Sequence, residues 1–169
     1  MSRYTKANKR KNSPLISILS HLNNNDPSLP SPRNLTINIL YSVRLPKGST
    51  ANTPPEEILD QILFLPRLRQ IMHAQSHSLR LRISIELFIT DLPENSPLMT
   101  APPLDITVHS RRIKRQDLQA TVIGEDADVN PKETVCYLCG PPKMTDEFVE
   151  VLRGILGGEK ERVLFEKWW

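Results

Sequence analysis

The feature that most constrains the fold is a strand-like run that ends on a thiol, a glycine and two prolines. Residues 134–144 read Thr-Val-Cys-Tyr-Leu-Cys-Gly-Pro-Pro-Lys-Met. The β-branched and aromatic residues predict a strand. Gly140 lets a ligand approach the backbone, and Pro141 and Pro142 stiffen the loop that follows. Because open α/β sheets bind ligands at the carboxyl ends of their strands, the sequence predicts chemistry at this loop.

Helical patterns occur along the whole chain. A first helix is predicted from Ser13-Pro14, where a capping residue precedes a proline. Its predicted buried face consists of apolar residues at helical spacing, namely Leu15, Ile18, Leu19 and Leu22. A second helix is predicted from the capping-box spacing at Thr53, with a kink at Pro66. A short helix or turn is predicted at residues 116–120, and another helix at 146–156.

Strand-like segments alternate with these helices. Five strands are predicted, at residues 35–43, 79–90, 106–113, 134–139 and 162–165. The proline-rich segment 91–103 is predicted to be a mobile loop. Strands that alternate with helices of this length predict an α/β fold, with a mostly parallel sheet flanked by helices.

Charge is unevenly distributed along the chain. The formal net charge is +3, but the first 25 residues hold five basic residues and no acidic one, which leaves −2 for the remainder. Residues 1–12 are predicted to be a basic, disordered tail, and residues 13–169 a single domain. Phosphate binding needs a cationic face, so this distribution argues against a nucleic-acid partner. No run of about 18 apolar residues is present, so no membrane span is predicted.

The two cysteines have the spacing of a redox or zinc motif. Cys136 and Cys139 are separated by two residues, but they lie in a predicted strand. Side chains three positions apart in a strand point to opposite faces, so the two sulfurs are expected to diverge. The sequence offers no second pair of ligands, and a metal site is therefore not predicted.

Several motifs together carry a resemblance to a known family. The run Cys139–Met144 resembles the Cys-Gly-Pro-Pro-x-Met signature of the ferredoxin–NADP⁺ reductase-like superfamily. Four further stretches resemble its elements in the same order, namely residues 14–19, 40–44, 57–65 and 166–169. The last of these resembles the ending of the oxidoreductase NAD-binding domain-containing proteins within that superfamily. This resemblance slightly favours a mitochondrial over a cytoplasmic location.

The resemblance implies a nicotinamide-binding domain that passes hydride to a flavin held by a preceding β-barrel domain. NAD(P)H would bind this chain, and FAD would be present only if a separate domain or chain supplies it. Cys139 would lie beside the reactive carbon of the nicotinamide, in a packing and orienting role. The wall against the ring would be formed by the loop residues that follow, Gly140, Pro141, Pro142 and Met144.

The resemblance also implies positions for the rest of the nucleotide. Pro14 and Ser17 would lie at a helix N-terminus facing the pyrophosphate, where free N–H groups favour an anion. Ser42 and Arg44 would lie near the adenosine ribose, and Arg112 matches a family arginine less closely. Trp169 would cover a flavin face.

Each of these residues also has a simpler interpretation. Cys139 alone is consistent with a small buried hydrophobic side chain, Ser17 with a helix-surface serine and Arg44 with a solvated charge. Trp168 and Trp169 alone are consistent with packing under the sheet. The four histidines share no spacing typical of a metal site or a catalytic triad, and all are predicted to be surface residues: His21, His73, His77 and His109.

Two departures from the family pattern bear on function. Residues 4–13 contain neither a glycine-rich turn nor an apolar strand before Pro14. The chain therefore resembles a domain truncated at the N-terminus and missing its central first strand, which would leave the two flanking strands with unpaired backbone groups. In addition, no flavin-binding barrel is recognised. Three functions follow: an NAD(P)H-binding part of a flavin-dependent oxidoreductase, inactive on its own; a non-catalytic truncated remnant; or a partner-docking module.

Overall fold

A computed structural model of the chain describes residues 14–23, 35–49, 53–76, 81–124 and 131–167. The chain forms two compact units, the first ending at Arg111 and the second beginning at Arg112. The first unit contains α1 (Pro14–Asn23), β1 (Leu35–Val43), α2 (Pro55–Asp60), α3 (Leu65–Gln75), β2 (Leu81–Ile89), α4 (Pro97–Thr100) and β3 (Thr107–His109). The second unit contains α5 (Arg115–Ile123), β4 (Cys136–Gly140), α6 (Pro142–Ile155) and β5 (Val163–Lys167), with short 3-10 helices at Pro131–Glu133 and Lys160–Arg162.

All pairings between the described strands are parallel, which confirms the predicted α/β fold. In the first unit the strand order is β1-β2-β3. The register of β1 on β2 runs from Leu35 opposite Leu81 to Val43 opposite Ile89. In the second unit β4 pairs with β5. Among the described strands, only β2 has a neighbour on both sides, and every other strand, including β1 and β4, has one neighbour.

One face of the first sheet packs against helices. Alternate residues of β1 and β2, such as Ile39, Ile85 and Leu87, are buried in one apolar cluster together with side chains of α1, α2 and α3. Burying each large aliphatic side chain stabilises the unit by about 1.5–3 kcal/mol. The opposite face is polar, and Asn38 of β1 accepts a 2.7 Å hydrogen bond there from the hydroxyl of Ser84. The helices therefore cover one side of this sheet.

The helix predicted from Thr53 is two helices, and the predicted kink at Pro66 is wrong. The N-cap of α2 is Pro54, and α2 ends at Asp60. The chain then turns through Phe64, which has a left-handed φ of 65°. Pro66 lies in the first turn of α3. A proline is harmless there because the first N–H groups of a helix have no partner within the helix.

The proline-rich segment 91–103 contains a helix that the sequence did not predict. Ser96 is the N-cap of α4, and its side chain accepts a hydrogen bond of 3.4 Å from the backbone N–H of Leu98. Leu98 is fully buried in the core of the first unit. Much of this segment is therefore packed against the unit.

The first helix is confirmed, but its predicted buried face is wrong in part. Leu19 is 1% exposed, whereas Ile18 is 47% exposed. The side chains of Leu15 and Leu22 lie outside the described residues, as do the predicted tail at 1–12 and Trp169. Because α1 packs against α3, its contact face is set by the tertiary structure rather than by apolar spacing alone.

The second unit is a strand–helix–strand arrangement. The helix α6 packs against both β4 and β5. It begins at Pro142, four residues before the predicted start at 146, because a proline is well suited to the first helical position. The carboxylate of Asp146 in its first turns binds the ammonium of Lys167 at 2.5 Å. This ion pair joins the end of β5 to the start of α6.

An arginine connects three segments of the first unit. The Arg69 side chain, 17% exposed, makes an ion pair with Glu56 at 2.5 Å and donates two hydrogen bonds to Asp105, at 2.7 and 3.0 Å. His73 also contacts Asp105, at 3.0 Å. Burial raises the pKa of Asp105, but the hydrogen bonds from Arg69 and His73 outweigh it, and the pKa lies below its usual value. The ionised carboxylate is therefore part of the native packing.

We expect Asp105→Asn to destabilise the protein at neutral pH and much less in acid. Because the folded-state pKa is lowered, the carboxylate contributes its full stability above the unfolded-state pKa, and loses it as the pH falls through the folded-state pKa. A hydrogen bond to a charged group contributes about 1.5–3 kcal/mol, which sets the expected loss at pH 7. Urea denaturation across the acid range measures it. Asp60→Asn, at an exposed carboxylate, is the matched control. If the loss of stability in Asp105→Asn did not change with pH, the lowered pKa of Asp105 would be contradicted.

Candidate functional site

The predicted loop begins at the carboxyl end of β4. Cys139 is exposed, whereas Cys136 is half-buried, and both thiols are free. In the register with β5, Cys136 lies opposite the buried Val163, and Cys139 lies opposite Glu166. The two sulfurs therefore lie on opposite faces. Burial raises the pKa of the Cys136 thiol, which keeps it protonated at neutral pH.

Gly140 is buried beneath a methionine. A Cβ at Gly140 would overlap the terminal methyl group of Met144, which is flexible enough to move. The φ angle of Gly140 is not positive, so backbone strain does not demand a glycine there. Pro141 is the N-cap of α6, and Pro142 is its first residue; both are exposed. The loop thus presents two rigid apolar rings and an exposed thiol side by side in sequence.

A carboxylate that the sequence reasoning missed lies beside the thiol. Glu166 is exposed and directly opposite Cys139. Tyr137 is on the same face, two residues before Cys139, and its hydroxyl oxygen is buried. Burial raises the pKa of Tyr137 strongly, and the nearby Cys139 and Glu166 raise it further. A thiol, a carboxylate and a phenol therefore cluster at this end of the sheet.

We expect Glu166→Gln to lower the pKa of Tyr137. The negative charge of Glu166 disfavours the tyrosinate, so neutralising it favours ionisation at lower pH. Because the pKa of Tyr137 lies far above its usual value, the alkaline onset of its ring-carbon shift, followed by NMR below the pH of unfolding, measures the change. Glu161→Gln removes an exposed charge elsewhere in the same unit and serves as the control. If both variants leave the Tyr137 titration unchanged, the carboxylate does not lie beside the phenol.

In the first unit the carboxyl ends of the parallel strands β1 and β2 lie side by side. Ser42 and Arg44, which the family resemblance assigns to the adenosine ribose, are exposed at the end of β1. The neighbouring end of β2 is joined to it by two hydrogen bonds. The N–H of Thr90 donates to the carbonyl of Val43 at 3.2 Å, and the N–H of Leu45 donates to the Asp91 carboxylate at 2.6 Å. The backbone that carries Ser42 and Arg44 is therefore fixed at this edge.

A row of side chains crosses this edge beside Ser42. Phe88 is opposite Ser42 on one side and opposite His109 on the other. Phe88 is fully buried, and the His109 ring stacks on it at a centroid distance of 4.4 Å and an angle of 19°. The Arg111 guanidinium lies 5.2 Å from the Phe88 ring centroid. An aromatic, an imidazole and a guanidinium thus lie next to the predicted ribose position.

His109, predicted to be a surface residue, is half-buried rather than freely exposed. Its side chain is 24% exposed and contacts the Glu86 carboxylate at 2.9 Å. The sequence did contain a signal for this contact. Phe88 lies on the same face of β2 as three polar residues, Arg82, Ser84 and Glu86. A buried phenylalanine on a polar face needs a cover, and His109 and Arg111 provide it.

The other predicted site residues are distributed over both units. Pro14 is the first residue of α1, and Ser17 is exposed one turn later. Arg112 is exposed at the start of the second unit. His73 is exposed, while the side chains of His21 and His77 lie outside the described residues.

Two further properties concern the described part of the chain alone. No three of its His, Cys, Asp and Glu side chains lie close enough together to hold a metal ion. None of its helices has the length and apolar character needed to cross a membrane.

Known proteins resemble this chain over part of its length. A zebrafish (Danio rerio) protein named oxidoreductase NAD-binding domain-containing protein 1 is 41% identical over 58 residues, which cover 34% of this chain and 18% of that protein. The human (Homo sapiens) protein of the same name is 36% identical over 86 residues, covering 48% of this chain and 27% of that protein. The Xenopus laevis protein of that name is 49% identical over 37 residues, or 22% of this chain and 12% of that protein.

The similar region spans about a quarter or less of each of these relatives. No protein-family profile matches the chain. No solved structure matches it either.

Proposed function

We propose that this chain binds a nicotinamide dinucleotide, NADH or NADPH, as the NAD-binding part of a flavin-dependent oxidoreductase. The observation that carries the proposal lies in the second unit, where β4 ends on the exposed Cys139 and is followed by the exposed Pro141 and Pro142, the loop that the family resemblance assigns to the nicotinamide. In the first unit, considered by itself, Ser42 and Arg44 are exposed at the carboxyl end of β1. The names of the similar proteins support the same cofactor.

The residues of the second unit fit a nicotinamide ring. The ring is planar and weakly polar, and this loop offers it the exposed, rigid apolar rings of Pro141 and Pro142 and, adjacent in sequence, the Cys139 thiol. Glu166 holds a carboxylate next to that thiol, which can orient the thiol hydrogen by accepting a hydrogen bond. Cys139 packs and orients the ring in this proposal and does not attack it. When bound, the reduced nicotinamide supplies a hydride, two electrons and one proton together, to FAD held by another domain or chain.

Considered by itself, the first unit carries groups that fit an adenosine ribose or a phosphate. Arg44 supplies a cation, and Ser42 supplies a hydroxyl that can bond to a ribose. Charge-assisted hydrogen bonds to phosphate or ribose oxygens are stronger than neutral ones. His109 and Arg111, packed on Phe88, extend the same edge with further donors. The N–H groups at the start of α1 suit a pyrophosphate.

Calorimetric titration of the chain with NADH and with NADPH tests the binding proposal. We expect Arg44→Ala to weaken binding about 10- to 100-fold, since a hydrogen bond to a charged group contributes about 1.5–3 kcal/mol. Arg82→Ala is the matched control, because Arg82 is an exposed arginine near the amino end of β2. No binding heat with either nucleotide, or an equal loss in Arg82→Ala, would refute the proposal.

A second experiment separates an oxidoreductase part from a non-catalytic remnant. The chain is mixed with a separately produced FAD-binding barrel domain, and NADH-dependent reduction of a dye is measured. Cys139→Ser is expected to slow the reduction with little change in nucleotide affinity, and Cys136→Ser, on the opposite face, is the control. Binding without any dye reduction would favour the remnant.

A further inference from the structure

The described strands differ in how their outer edges are protected. β3 is only three residues long. β5 carries Glu166 and Lys167 at its end. Short strands and charged residues are two ways in which proteins prevent the edge of a sheet from pairing with another chain. These two outer strands are therefore protected.

The first strand has no such protection. β1 is nine residues long, Leu35–Val43, and contains no charged residue, proline or glycine. It pairs with β2 along its whole length, and no described strand pairs with its other edge. A long, uncharged outer strand is a template for the addition of a further strand. β4 is also uncharged but is only five residues long, so β1 offers the longer edge.

We propose that β1 pairs with β1 of a second copy of this chain, antiparallel and across a two-fold axis at Ile39. In this register Leu35 of one copy lies opposite Val43 of the other, and Ile37 lies opposite Tyr41. On the other face Thr36 lies opposite Ser42. Apolar residues therefore meet apolar residues on the face that packs on the core. On the polar face hydroxyl side chains meet at both ends, and Asn38 lies opposite Leu40 on either side of the axis.

The occupant that this edge fits best is a second copy. The pattern of β1 is complementary to itself on the apolar face, where all five positions are apolar or aromatic, and at Thr36 and Ser42 on the other face. Neither strand carries a charge that would repel its copy or select a charged partner. A two-fold axis perpendicular to the sheet keeps the helices of both copies on the same side, so that the two sheets continue into one. Such a two-fold contact is the most frequent symmetry of soluble oligomers.

The dimer is expected to be concentration-dependent. One strand pair buries less surface than the roughly 1,600 Å² of a standard stable interface. Sedimentation velocity over a range of concentrations should therefore show a shift from the 19.3 kDa monomer to a species of twice that mass. A monomer at every soluble concentration would overturn the proposal.

Charge variants test the partner and the register. Thr36→Lys with Ser42→Lys places a lysine opposite a lysine at both ends of the strand pair, and should abolish the dimer, because like charges directly opposite each other destabilise a sheet. Thr36→Lys with Ser42→Glu places a lysine opposite a glutamate twice, and should restore it. Both side chains are exposed, so the monomer should fold in either variant, as circular dichroism can verify.

The control variant carries its substitution on β3, the strand at the opposite edge of the same sheet. Thr107→Lys introduces the same charge at an exposed position on β3, and should leave the dimer unchanged. A dimer that persists with two lysines, that fails to return with the Lys–Glu pairs, or that dissociates in Thr107→Lys would each overturn the proposed pairing. Nucleotide titration of the unsubstituted chain is a separate readout, because Ser42 is itself assigned to the ribose. The failure of one proposal therefore does not imply the failure of the other.

Discussion

Replacing Phe88 with alanine is expected to lower the free energy of unfolding by about 3–5 kcal/mol. The Phe88 ring is fully buried, and it supports the stacked His109 ring and the Arg111 guanidinium. Truncation removes the buried apolar area and leaves a cavity that these polar groups cannot fill. The same variant should lose nucleotide affinity if His109 and Arg111 contribute donors at that edge. Urea denaturation and calorimetric titration measure the two effects.

Phe165→Ala is the matched control for this variant. Phe165 is 43% exposed, and its truncation should cost about 1 kcal/mol or less. A loss for Phe88→Ala that is no larger than this would show that the ring does not support the edge of the sheet. Phe88→Leu retains most of the apolar volume but removes the stacking surface, and should lie between the two.

Replacing Leu59 with alanine is the second large effect, with an expected loss of about 2–5 kcal/mol. Leu59 lies in α2, is 0% exposed, and belongs to the apolar cluster that joins the helices to the first sheet. Leu63→Ala, four residues later, deletes the same atoms at a position that is 67% exposed. It should change stability by less than about 0.5 kcal/mol. Thermal and urea denaturation of the two variants compare them directly, and equal losses would contradict the burial of α2.

The long strands were the part of the fold most accessible to sequence reasoning, whereas the strand predicted at 106–113 is reduced to the three residues of β3. The prediction for residues 35–43 matches β1 at both ends, because a dense run of leucine and isoleucine bounded by polar residues defines a strand locally. By contrast, the single kinked helix predicted across Pro66 is wrong, because the local sequence is compatible with two structures. A proline can kink a helix or begin one, and only the left-handed turn at Phe64, which packing determines, decides between the two.

The candidate site was predictable where its motif is contiguous. Cys139, Gly140, Pro141 and Pro142 are adjacent in the sequence, and the structure places them at the end of a strand as predicted. Glu166 was missed because its position opposite Cys139 depends on the register between two strands separated by a helix. His109 was missed for the same reason, since its neighbour Phe88 is on another strand. Strand register is a long-range property that local patterns do not specify.

The position of β2 between two neighbours has a consequence for how the first unit opens. Among the described strands only β2 is flanked on both sides, by β1 and β3. In the monomer its amides should therefore be the slowest in that unit to exchange with deuterium, while those on the outer edge of β1 should exchange early. Partial opening would then begin at the flanks and leave the middle of the sheet, from Ile85 to Ile89, as the last segment to be lost.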